Sequence, residues 1–331
     1  MTGTTKPAVG LVLGTLIPPE QLVKMARHGE KQGFEEIWFS EDYFYTAALS
    51  SATAALGATR DVRVGTGIIS ALVRHPAALA MEIATIARMF PDRFQPGIAL
   101  GFPPWLHQMG LWPERPLTAV RECLVALRGL LAGEEVTFEG KNFHFDRIAL
   151  NYPPTSPVPV YLGGINPRML RLAGTSADGS IVAILSGPKY VKWACEQFAA
   201  GAEEAGRADQ HRVVVFTFFS VDKDGRHARE RVKALLAWYF HECIQTPALF
   251  DPYGITDTLR EMARGGPEQI EREMPDEWFE DFAVIGDPEE CAERIRGLIE
   301  AGADSVALYP MPGSHSIEMI RLAGEEVLKR V

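Results

Sequence analysis

The segment "VGTGIISALVRHPAALAMEIATIARMFPDRFQPGIALG", from Val64 to Gly101, contains a complete strand–helix–strand unit. It opens with a β-branched run that predicts a strand, and Pro76 then stands where the first turn of a helix accepts proline. A second apolar run, from Phe94, predicts the next strand. Apolar strands joined by a helix are typical of a parallel sheet covered by helices. The segment therefore indicates an α/β fold.

The same alternation continues through most of the chain. The eight predicted strands are Ala8–Thr15, Glu36–Ser40, Val62–Ile69, Phe94–Gly101, Val158–Gly164, Gly179–Leu185, Arg212–Val221 and Ser305–Pro310. Eight strand–helix units predict a closed (β/α)8 TIM barrel, which typically needs about 250 residues. A doubly wound open sheet is the competing architecture, although the first turn, "LGTLIPPE", lacks the glycine spacing with which such folds bind dinucleotides.

A barrel of this size leaves about 80 of the 331 residues for insertions. One insertion follows strand four, from Pro103 to Pro157, and includes a helix and a predicted hairpin around Glu139 and Gly140. The other precedes strand eight, from about Thr246 to Gly286. No repeat or linker divides the sequence, which indicates a single domain over residues 1–331.

Composition excludes several classes of protein. A net charge of −10 without a basic stripe argues against a nucleic-acid partner. No apolar run approaches the roughly 18 residues of a membrane span, and the N-terminus does not read as a signal peptide. The four cysteines lie far apart and form no CxxC pair, which favours reduced thiols over disulfides or zinc. We therefore expect a soluble cytoplasmic enzyme.

The predicted strand ends are rich in glycine and poor in catalytic groups. In a (β/α)8 barrel the active site lies at the C-terminal ends of the strands, where glycine lets a ligand approach the backbone. The sequence contains no GxSxG or HExxH motif, and its histidines have no metal-ligand spacing, so we predict no metal. A site of this composition indicates a bound organic cofactor.

Two glycine-rich strand ends are candidate phosphate sites. Gly163 and Gly164 precede the helix that Pro167 begins, and the amides of a helix N-terminus bind phosphate well. An ordinary glycine-rich turn is the alternative for this pair. Ser186 and the Gly187 amide repeat the pattern at the next strand, where Lys189 adds positive charge.

Candidate proton-transfer groups follow strand two in "WFSEDYFY". Asp42 and Tyr43 are the candidates there, although Asp42 could also simply cap the next segment. His107 is the third catalytic candidate and lies beyond strand four beside two tryptophans, in either a substrate wall or a packed surface loop. His75 is expected to order the turn before its helix.

Four segments together resemble the bacterial-luciferase-like superfamily of flavin- and deazaflavin-dependent oxidoreductases. The resemblance is closest to the methylenetetrahydromethanopterin-reductase-like branch and rests on the order and spacing of the segments. They are "GFEEIWFSEDYF", "VGTGIISALVRHPAALAMEIATIARMFPDRFQPGIALG", "PVYLGGINPRMLRLAGTSADG" and "GDPEECAERIRGLIEAGADSVALYP".

The resemblance implies a (β/α)8 barrel and a set of cofactor contacts. In deazaflavin members a non-proline cis peptide bulges at the end of strand three and backs the cofactor ring, at the position of Gly67 and Ile68 here. The hypothesis is that Gly67 lacks a side chain so that the backbone can press against a tricyclic ring. The other implied cofactor contacts are Glu41, Ser70, Leu100, Gly101, Gly163, Gly164 and the segment around Ser186.

The implied activity is hydride transfer between coenzyme F-420, a deazaflavin, and a small organic substrate. An FMN-dependent monooxygenase that uses reduced flavin and O2 is the alternative, and a non-catalytic flavin-binding protein is a third reading. The protonating histidine of some deazaflavin dehydrogenases falls on Asp42, and their glutamate after strand four falls on Phe102. The resemblance therefore does not imply a sugar-phosphate dehydrogenase. It does imply a homodimer, formed through barrel helices two and three.

Overall fold

The computed structural model describes residues 6–15, 17–207 and 211–331. The strands in these ranges are β1 (Ala8–Leu13), β2 (Glu36–Phe39), β3 (Arg63–Ser70), β4 (Phe94–Ala99), β5 (Val136–Glu139), β6 (His144–Ile148), β7 (Tyr161–Gly163), β8 (Gly179–Val182), β9 (Arg212–Val221), β10 (Val284–Gly286) and β11 (Ser305–Pro310). The helices are α1 (Pro19–Lys31), α2 (Ala48–Ala58), α3 (Pro76–Met89), α4 (Pro103–Gln108), α5 (Pro116–Leu131), α6 (Pro167–Ser176), α7 (Pro188–Glu204), α8 (Gly225–Cys243), α9 (Thr256–Ala263), α10 (Pro267–Glu273), α11 (Glu277–Phe282), α12 (Pro288–Glu300) and α13 (Ser316–Leu322).

Eight parallel strands form a closed ring. Their order is β9, β11, β1, β2, β3, β4, β7 and β8, and β8 pairs again with β9. The prediction of a (β/α)8 barrel is confirmed, and the alternative of an open doubly wound sheet is wrong because the β8–β9 pairing leaves no free edge.

Both predicted insertions hold their own secondary structure. The first contains α4, α5 and the antiparallel hairpin β5–β6, which confirms the hairpin around Glu139 and Gly140. The second contains α9, α10 and α11 and ends in β10, a strand that the sequence did not predict. β10 adds to β9 through only three paired positions, too few for a recognisable pattern.

Side chains and proline set the helix starts near the barrel mouth. Pro76 is the first residue of α3, and the Nδ1 atom of His75 accepts a hydrogen bond from the Ala77 amide at 3.2 Å. The prediction that His75 orders this turn is confirmed.

Among the described residues, no helix is both long enough and apolar enough to cross a membrane.

A buried carboxylate joins four strands at the N-terminal end of the barrel. The Glu36 carboxylate is fully buried, and its Oε1 accepts a hydrogen bond from Arg212 Nη2 at 2.6 Å. Oε1 also lies 3.0 Å from Arg63 Nη2. Oε2 accepts hydrogen bonds from Ser305 Oγ at 2.7 Å and from Trp38 Nε1 at 3.2 Å. These contacts connect β2 with β3, β9 and β11.

Between the Glu36 network and the C-terminal ends of the strands, two aromatic rings occupy space that glycines of β3 leave free. A Cβ on Gly65 would lie 2.2 Å from Trp38 Cε3, and a Cβ on Gly67 would lie 2.3 Å from Phe216 Cζ. The Trp38 ring in turn makes edge contacts with Phe216 and Tyr161, at centroid distances of 5.7 Å and 5.6 Å. β3 therefore carries glycine where the rings of facing strands fill the barrel.

Replacing Glu36 by alanine would leave the guanidinium groups of Arg63 and Arg212 without their counter-charge at the N-terminal end of the barrel. We expect the free energy of unfolding to fall by about 3–5 kcal/mol, the range for breaking a buried ion pair. Chemical denaturation followed by circular dichroism measures this change. The exposed neighbour Glu35 is the control, and Glu35→Ala should change the free energy by less than about 0.5 kcal/mol. A loss no larger in Glu36→Ala than in the control would contradict the prediction.

Candidate active site

The mouth of the barrel is partly open on one side and walled by aromatic rings on the other. The partly exposed residues at the ends of β3, β4 and β7 are Gly67, Ile68, Ala99, Leu100, Gly101, Gly164 and Ile165. Facing them, β9 and β11 contribute Phe218 and Tyr309, whose rings stack with a centroid distance of 6.1 Å. A shallow cleft between small residues and an aromatic wall results.

β3 is irregular where the resemblance predicted a bulge. The peptide bond between Gly67 and Ile68 is cis, and the pairing of β3 with β4 shifts register between Thr66 and Ile69. The predicted backbone geometry at Gly67 and Ile68 is confirmed.

The reason given for the glycine at position 67 needs correction. The Gly67 α-carbon packs directly on the Phe216 ring, where any Cβ would overlap it. A flat ring does lie against this backbone, but it belongs to the chain itself. Packing alone therefore requires glycine here, whether or not a cofactor binds above it.

Glu41 makes four contacts within the protein. Its carboxylate accepts two hydrogen bonds from Arg74, at 2.7 Å and 3.1 Å, one from the Tyr43 hydroxyl at 2.9 Å and one from the Ala48 amide at 3.1 Å. Arg74 also lies 3.4 Å from the Glu82 carboxylate. Glu41 was predicted to contact a cofactor, and this placement favours a different role, in which it holds the loop after β2 against α2 and Arg74.

The Tyr43 hydroxyl is occupied by the same network. It donates its proton to Glu41, and burial followed by the nearby Glu41 charge raises the pKa of Tyr43 above its ordinary value. Its ring packs edge-on against Trp105 with a centroid distance of 6.1 Å. A hydroxyl held in this way is a poor proton donor to a ligand.

Asp42 has an environment suited to holding a proton. Its carboxyl group accepts a hydrogen bond from Thr15 Oγ1, which also lies 3.0 Å from Ser40 Oγ. Burial raises the pKa of Asp42, and the hydrogen bonds from Thr15 and Ser40 oppose that rise without cancelling it. The close approach of Ser40 to the end of β1 depends on Gly14. Its φ of 145° and its contact with the Ser40 hydroxyl exclude a side chain.

Two tyrosines lie beside Asp42 on the aromatic wall. Burial raises the pKa of Tyr309 to about 12. The side-chain hydrogen bond with Thr15 lowers this pKa, and the charge of Asp42 raises it further. Tyr239, from α8, packs on Phe218 with a centroid distance of 4.6 Å. Burial raises the pKa of Tyr239, and the charge of Asp42 adds to that rise. We call Asp42, Thr15, Tyr239 and Tyr309 the mouth cluster.

Ser70 fixes the geometry of the cleft. Its hydroxyl donates to the Leu100 carbonyl at 2.7 Å and accepts from the Leu72 amide at 3.2 Å. Gly101 has a φ of 100°, and a Cβ on it would lie 3.0 Å from the Ser70 hydroxyl. Ser70 thus ties the ends of β3 and β4 together, and the cofactor contacts of Leu100 and Gly101 that the resemblance implied stay predictions.

The two predicted phosphate sites differ in accessibility. Gly164 is partly exposed ahead of α6, whose cap residue Asn166 makes no side-chain hydrogen bond to the first turn. Gly163 is buried, and its α-carbon packs against Ile68, whose Cγ2 would lie 2.9 Å from a Cβ at position 163. The N-terminus of α6 is therefore available to an anion at the edge of the cleft.

The second predicted site, at the start of α7, is covered. A Cβ on Gly187 would lie 1.8 Å from the Asp281 carbonyl oxygen and 2.3 Å from the Tyr253 hydroxyl. That hydroxyl accepts a hydrogen bond from the Lys189 amide at 3.1 Å. Ser186 is also buried and lines a cavity of about 320 Å³ beside α12. Gly187 and Arg294 line the same cavity, so the phosphate site at Ser186 and Gly187 stays a prediction.

His107 lies apart from the mouth cluster. It is exposed on α4, and its ring stacks on Trp112 with a centroid distance of 4.8 Å. His107 therefore lies on an exposed helix rather than in a loop, and its catalytic role and its place in a substrate wall stay predictions.

The comparisons with known proteins agree with this architecture. The sequence model of the family described as luciferase-like monooxygenase matches residues 2–305. The chain belongs to this family. It is 29% identical over 320 residues to a 5,10-methylenetetrahydromethanopterin reductase of Methanolobus tindarius, covering 94% of this chain and 98% of the relative.

Two further proteins are similar to almost the whole chain. An F-420-dependent glucose-6-phosphate dehydrogenase of Nakamurella multipartita is 29% identical over 329 residues, covering 95% and 93% of the two chains. The solved structure of the coenzyme F-420-dependent tetrahydromethanopterin reductase from Methanopyrus kandleri superposes with a TM-score of 0.85 at 27% identity. That match covers 98% of this chain and 99% of the other. This luciferase-like protein is therefore an enzyme of the oxidoreductase type.

Sequence reasoning missed the partners that define the roles of Glu41 and Asp42. Arg74 stands only four residues after the end of β3, in "VRHP", and its charge next to a glycine-rich strand end was a usable signal. Thr15 and Tyr309 were visible as the residues at the ends of β1 and β11. No local pattern shows that they meet at Asp42, because that contact requires the ring to close.

Gly67→Ala tests the packing between β3 and Phe216. We expect the free energy of unfolding to fall by about 1–3 kcal/mol, as for other overpacked cores, because the new methyl group overlaps the Phe216 ring. In a Phe216→Leu background the same substitution should cost less, since the overlapping atoms are gone. Denaturation of the four proteins of this double-mutant cycle measures the difference. Equal costs in both backgrounds would show that Phe216 does not exclude the side chain.

Proposed function

We propose that this protein transfers a hydride between coenzyme F-420 and a small organic substrate. The observation that carries the proposal is the cleft formed by the bulged end of β3, the glycine-rich ends of β4 and β7, and the open N-terminus of α6. Relatives named as F-420-dependent enzymes, aligned over more than nine-tenths of the chain, support the choice of cofactor.

The residues present fit such a cofactor. The backbone at Gly67 and Ile68 is partly exposed at the mouth of the barrel. Leu100 and Gly101 are partly exposed next to it, and Gly164 is partly exposed ahead of α6. The Ser186 hydroxyl, which follows β8, is buried and has no hydrogen-bond partner among the described residues.

When bound, the deazaflavin supplies a two-electron hydride donor or acceptor, so the protein needs to supply position and a proton. The cleft fixes the distance between the two reactants and excludes water from one face. Asp42 is the residue that we assign to the proton. Its raised pKa keeps the group protonated at a pH where an ordinary aspartate is ionised, and the mouth cluster places it beside the aromatic wall. Tyr43 is less suited because Glu41 holds its proton.

The homodimer implied by the resemblance is a separate proposal. The exposed face of α3 carries Met81 and Met89, which are 57% and 52% exposed. Large apolar side chains on this barrel helix favour it as the contact surface.

Titration of the purified protein with coenzyme F-420 and with FMN, side by side, tests the proposed cofactor. We expect F-420 to quench the protein fluorescence with a dissociation constant at least about tenfold lower than that of FMN, a difference of about 1.4 kcal/mol. Tight binding of FMN without binding of F-420 would favour the monooxygenase alternative. Binding of F-420 with no oxidation of its reduced form by any acceptor would favour a non-catalytic binding protein.

Asp42→Asn should slow turnover by about 10²- to 10⁴-fold, the usual contribution of a general acid, while F-420 affinity stays nearly the same. In the direction that consumes a proton, the wild-type rate should fall as pH rises through the raised pKa of Asp42, because the carboxyl then loses its proton. The variant should lack this limb. Rates measured from pH 4 to about 9 check both points. An unchanged rate in Asp42→Asn would remove the residue from the mechanism.

A further inference from the structure

The Thr15 hydroxyl connects the ends of three strands at the mouth. Thr15 follows β1, and its Oγ1 donates a hydrogen bond to the Asp42 carboxyl group after β2. The same Oγ1 lies 3.0 Å from Ser40 Oγ and is hydrogen-bonded to the Tyr309 hydroxyl of β11. A hydroxyl group carries one proton and two acceptor lone pairs, so it can donate to only one of these three groups at a time. Thr15 can therefore redirect its O–H bond from one partner to another.

The backbone at Thr15 adopts a conformation that is unfavourable for this residue type. Its φ is 36°, a positive value that is rare for a β-branched side chain. The preceding residue, Gly14, has a φ of 145°, and a Cβ on it would lie 2.4 Å from Ser40 Oγ. A glycine or an asparagine in place of Thr15 would adopt the positive φ more readily. Unfavourable backbone conformations of this kind gather where a side chain has a function, which here points to the hydroxyl.

The partners of Asp42 differ in kind from those of the adjacent Glu41. Glu41 accepts hydrogen bonds from the Arg74 guanidinium and the Ala48 amide, which only donate and therefore stabilise the ionised carboxylate. Thr15 can donate to an ionised Asp42 and accept from a protonated one. A carboxyl group with such a partner keeps a hydrogen bond in both protonation states, which suits a group that gains and loses a proton in each turnover.

The groups that act on the Asp42 carboxyl come from several elements. Burial is the main reason why the pKa of Asp42 is raised, hydrogen bonds from Thr15 and a second hydroxyl lower it, and the charge of Glu41 raises it further. Tyr239 from α8 and Tyr309 from β11 also interact with Asp42. Burial raises the pKa of both phenols, so they stay neutral at a pH where a carboxyl group titrates. Hydroxyl groups, with Thr15 first among them, therefore stabilise the ionised form.

We propose that Thr15 is a positioning residue for proton transfer and that its hydroxyl holds the Asp42 carboxyl group in one orientation before and after the proton leaves. This inference rests on the proposed function, which assigns the transferred proton to Asp42. When Asp42 is protonated, its O–H donates to Thr15, and the Thr15 O–H points to Ser40 or Tyr309. When an atom of the substrate takes the proton with its own electron pair, the O–H bond of Asp42 breaks and Thr15 rotates its own O–H toward the carboxylate. No bond of Thr15 breaks, and solvent returns a proton to Asp42 afterwards.

Nuclear magnetic resonance titration of the Asp42 carboxyl carbon, in cofactor-free protein made with isotope-labelled aspartate, tests this role. Asp42→Asn assigns the signal because it removes that one resonance. Thr15→Val keeps the shape of the side chain but removes the hydroxyl, so the ionised carboxylate loses a hydrogen bond. We expect the titration midpoint to move to higher pH, with an acid dissociation constant about tenfold smaller than in the wild type, as for the loss of one hydrogen bond to a charged group. Thr15→Ser retains the hydroxyl and should titrate like the wild type.

Thr53→Val is the matched control, because Thr53 is a partly buried threonine whose hydroxyl donates within α2 to the Leu49 carbonyl at 2.7 Å. It should leave the Asp42 titration unchanged. Thr15→Ala, which also removes the hydroxyl, takes the place of Thr15→Val if that variant does not fold. The proposal is overturned if the variant without the hydroxyl titrates like the wild type or at lower pH, or if Thr15→Ser shifts as far as that variant.

The pH dependence of turnover separates this proposal from the proposed function. In Thr15→Val the falling limb of the rate should move to higher pH together with the titration midpoint, while F-420 affinity stays nearly the same. A shifted midpoint with an unshifted limb would overturn the assignment of the proton to Asp42 and still support the hold of Thr15 on that carboxyl group. An unshifted midpoint would overturn the role of Thr15 alone.

Discussion

The packing of Trp38 and Phe216 against the glycines of β3 is the constraint on which the rest of the structure depends. The barrel interior has room for these rings only because Gly65 and Gly67 carry no side chain. Interiors packed to the density of a crystal leave little freedom to move one such contact without moving its neighbours. The position of the two rings therefore determines where along the barrel axis β3 leaves its regular register with β4, between Thr66 and Ile69. The cleft begins at the same level of the barrel.

The barrel separates its ionic groups by function. At the N-terminal end, Glu36 is surrounded by two guanidinium groups and two neutral donors, so its charge is compensated within the fold. At the mouth, Glu41 is compensated in the same way by Arg74 and Tyr43. Asp42 alone of these three carboxyl groups has only hydroxyl partners in the described contacts, and burial raises its pKa as a result. Adjacent residues in one loop thus acquire different protonation behaviour from different neighbours.

The mouth of the barrel contains features that lower the stability of the fold. The mouth cluster holds a carboxyl group in a desolvated position and Thr15 with a φ of 36°, which is uncommon for a residue other than glycine. Features of this kind gather where a protein binds or transforms a ligand. Two residues of this cluster, Tyr239 and Tyr309, belong to the aromatic wall of the mouth.

The sequence by itself determined the fold class, the eight strands of the ring and both insertions. These features depend on local patterns, because apolar periodicity, proline at helix starts and glycine at strand ends act within a few residues. The irregular position at Gly67 and Ile68 was implied only by the resemblance to a known superfamily. Only the tertiary structure decided what each side chain at the mouth does. It assigned Glu41 to Arg74, covered Gly187 with the carbonyl of Asp281, turned His107 to the surface and brought Thr15 and Tyr309 to Asp42. Those contacts join residues far apart in the chain, and they form only when the strands close into a ring.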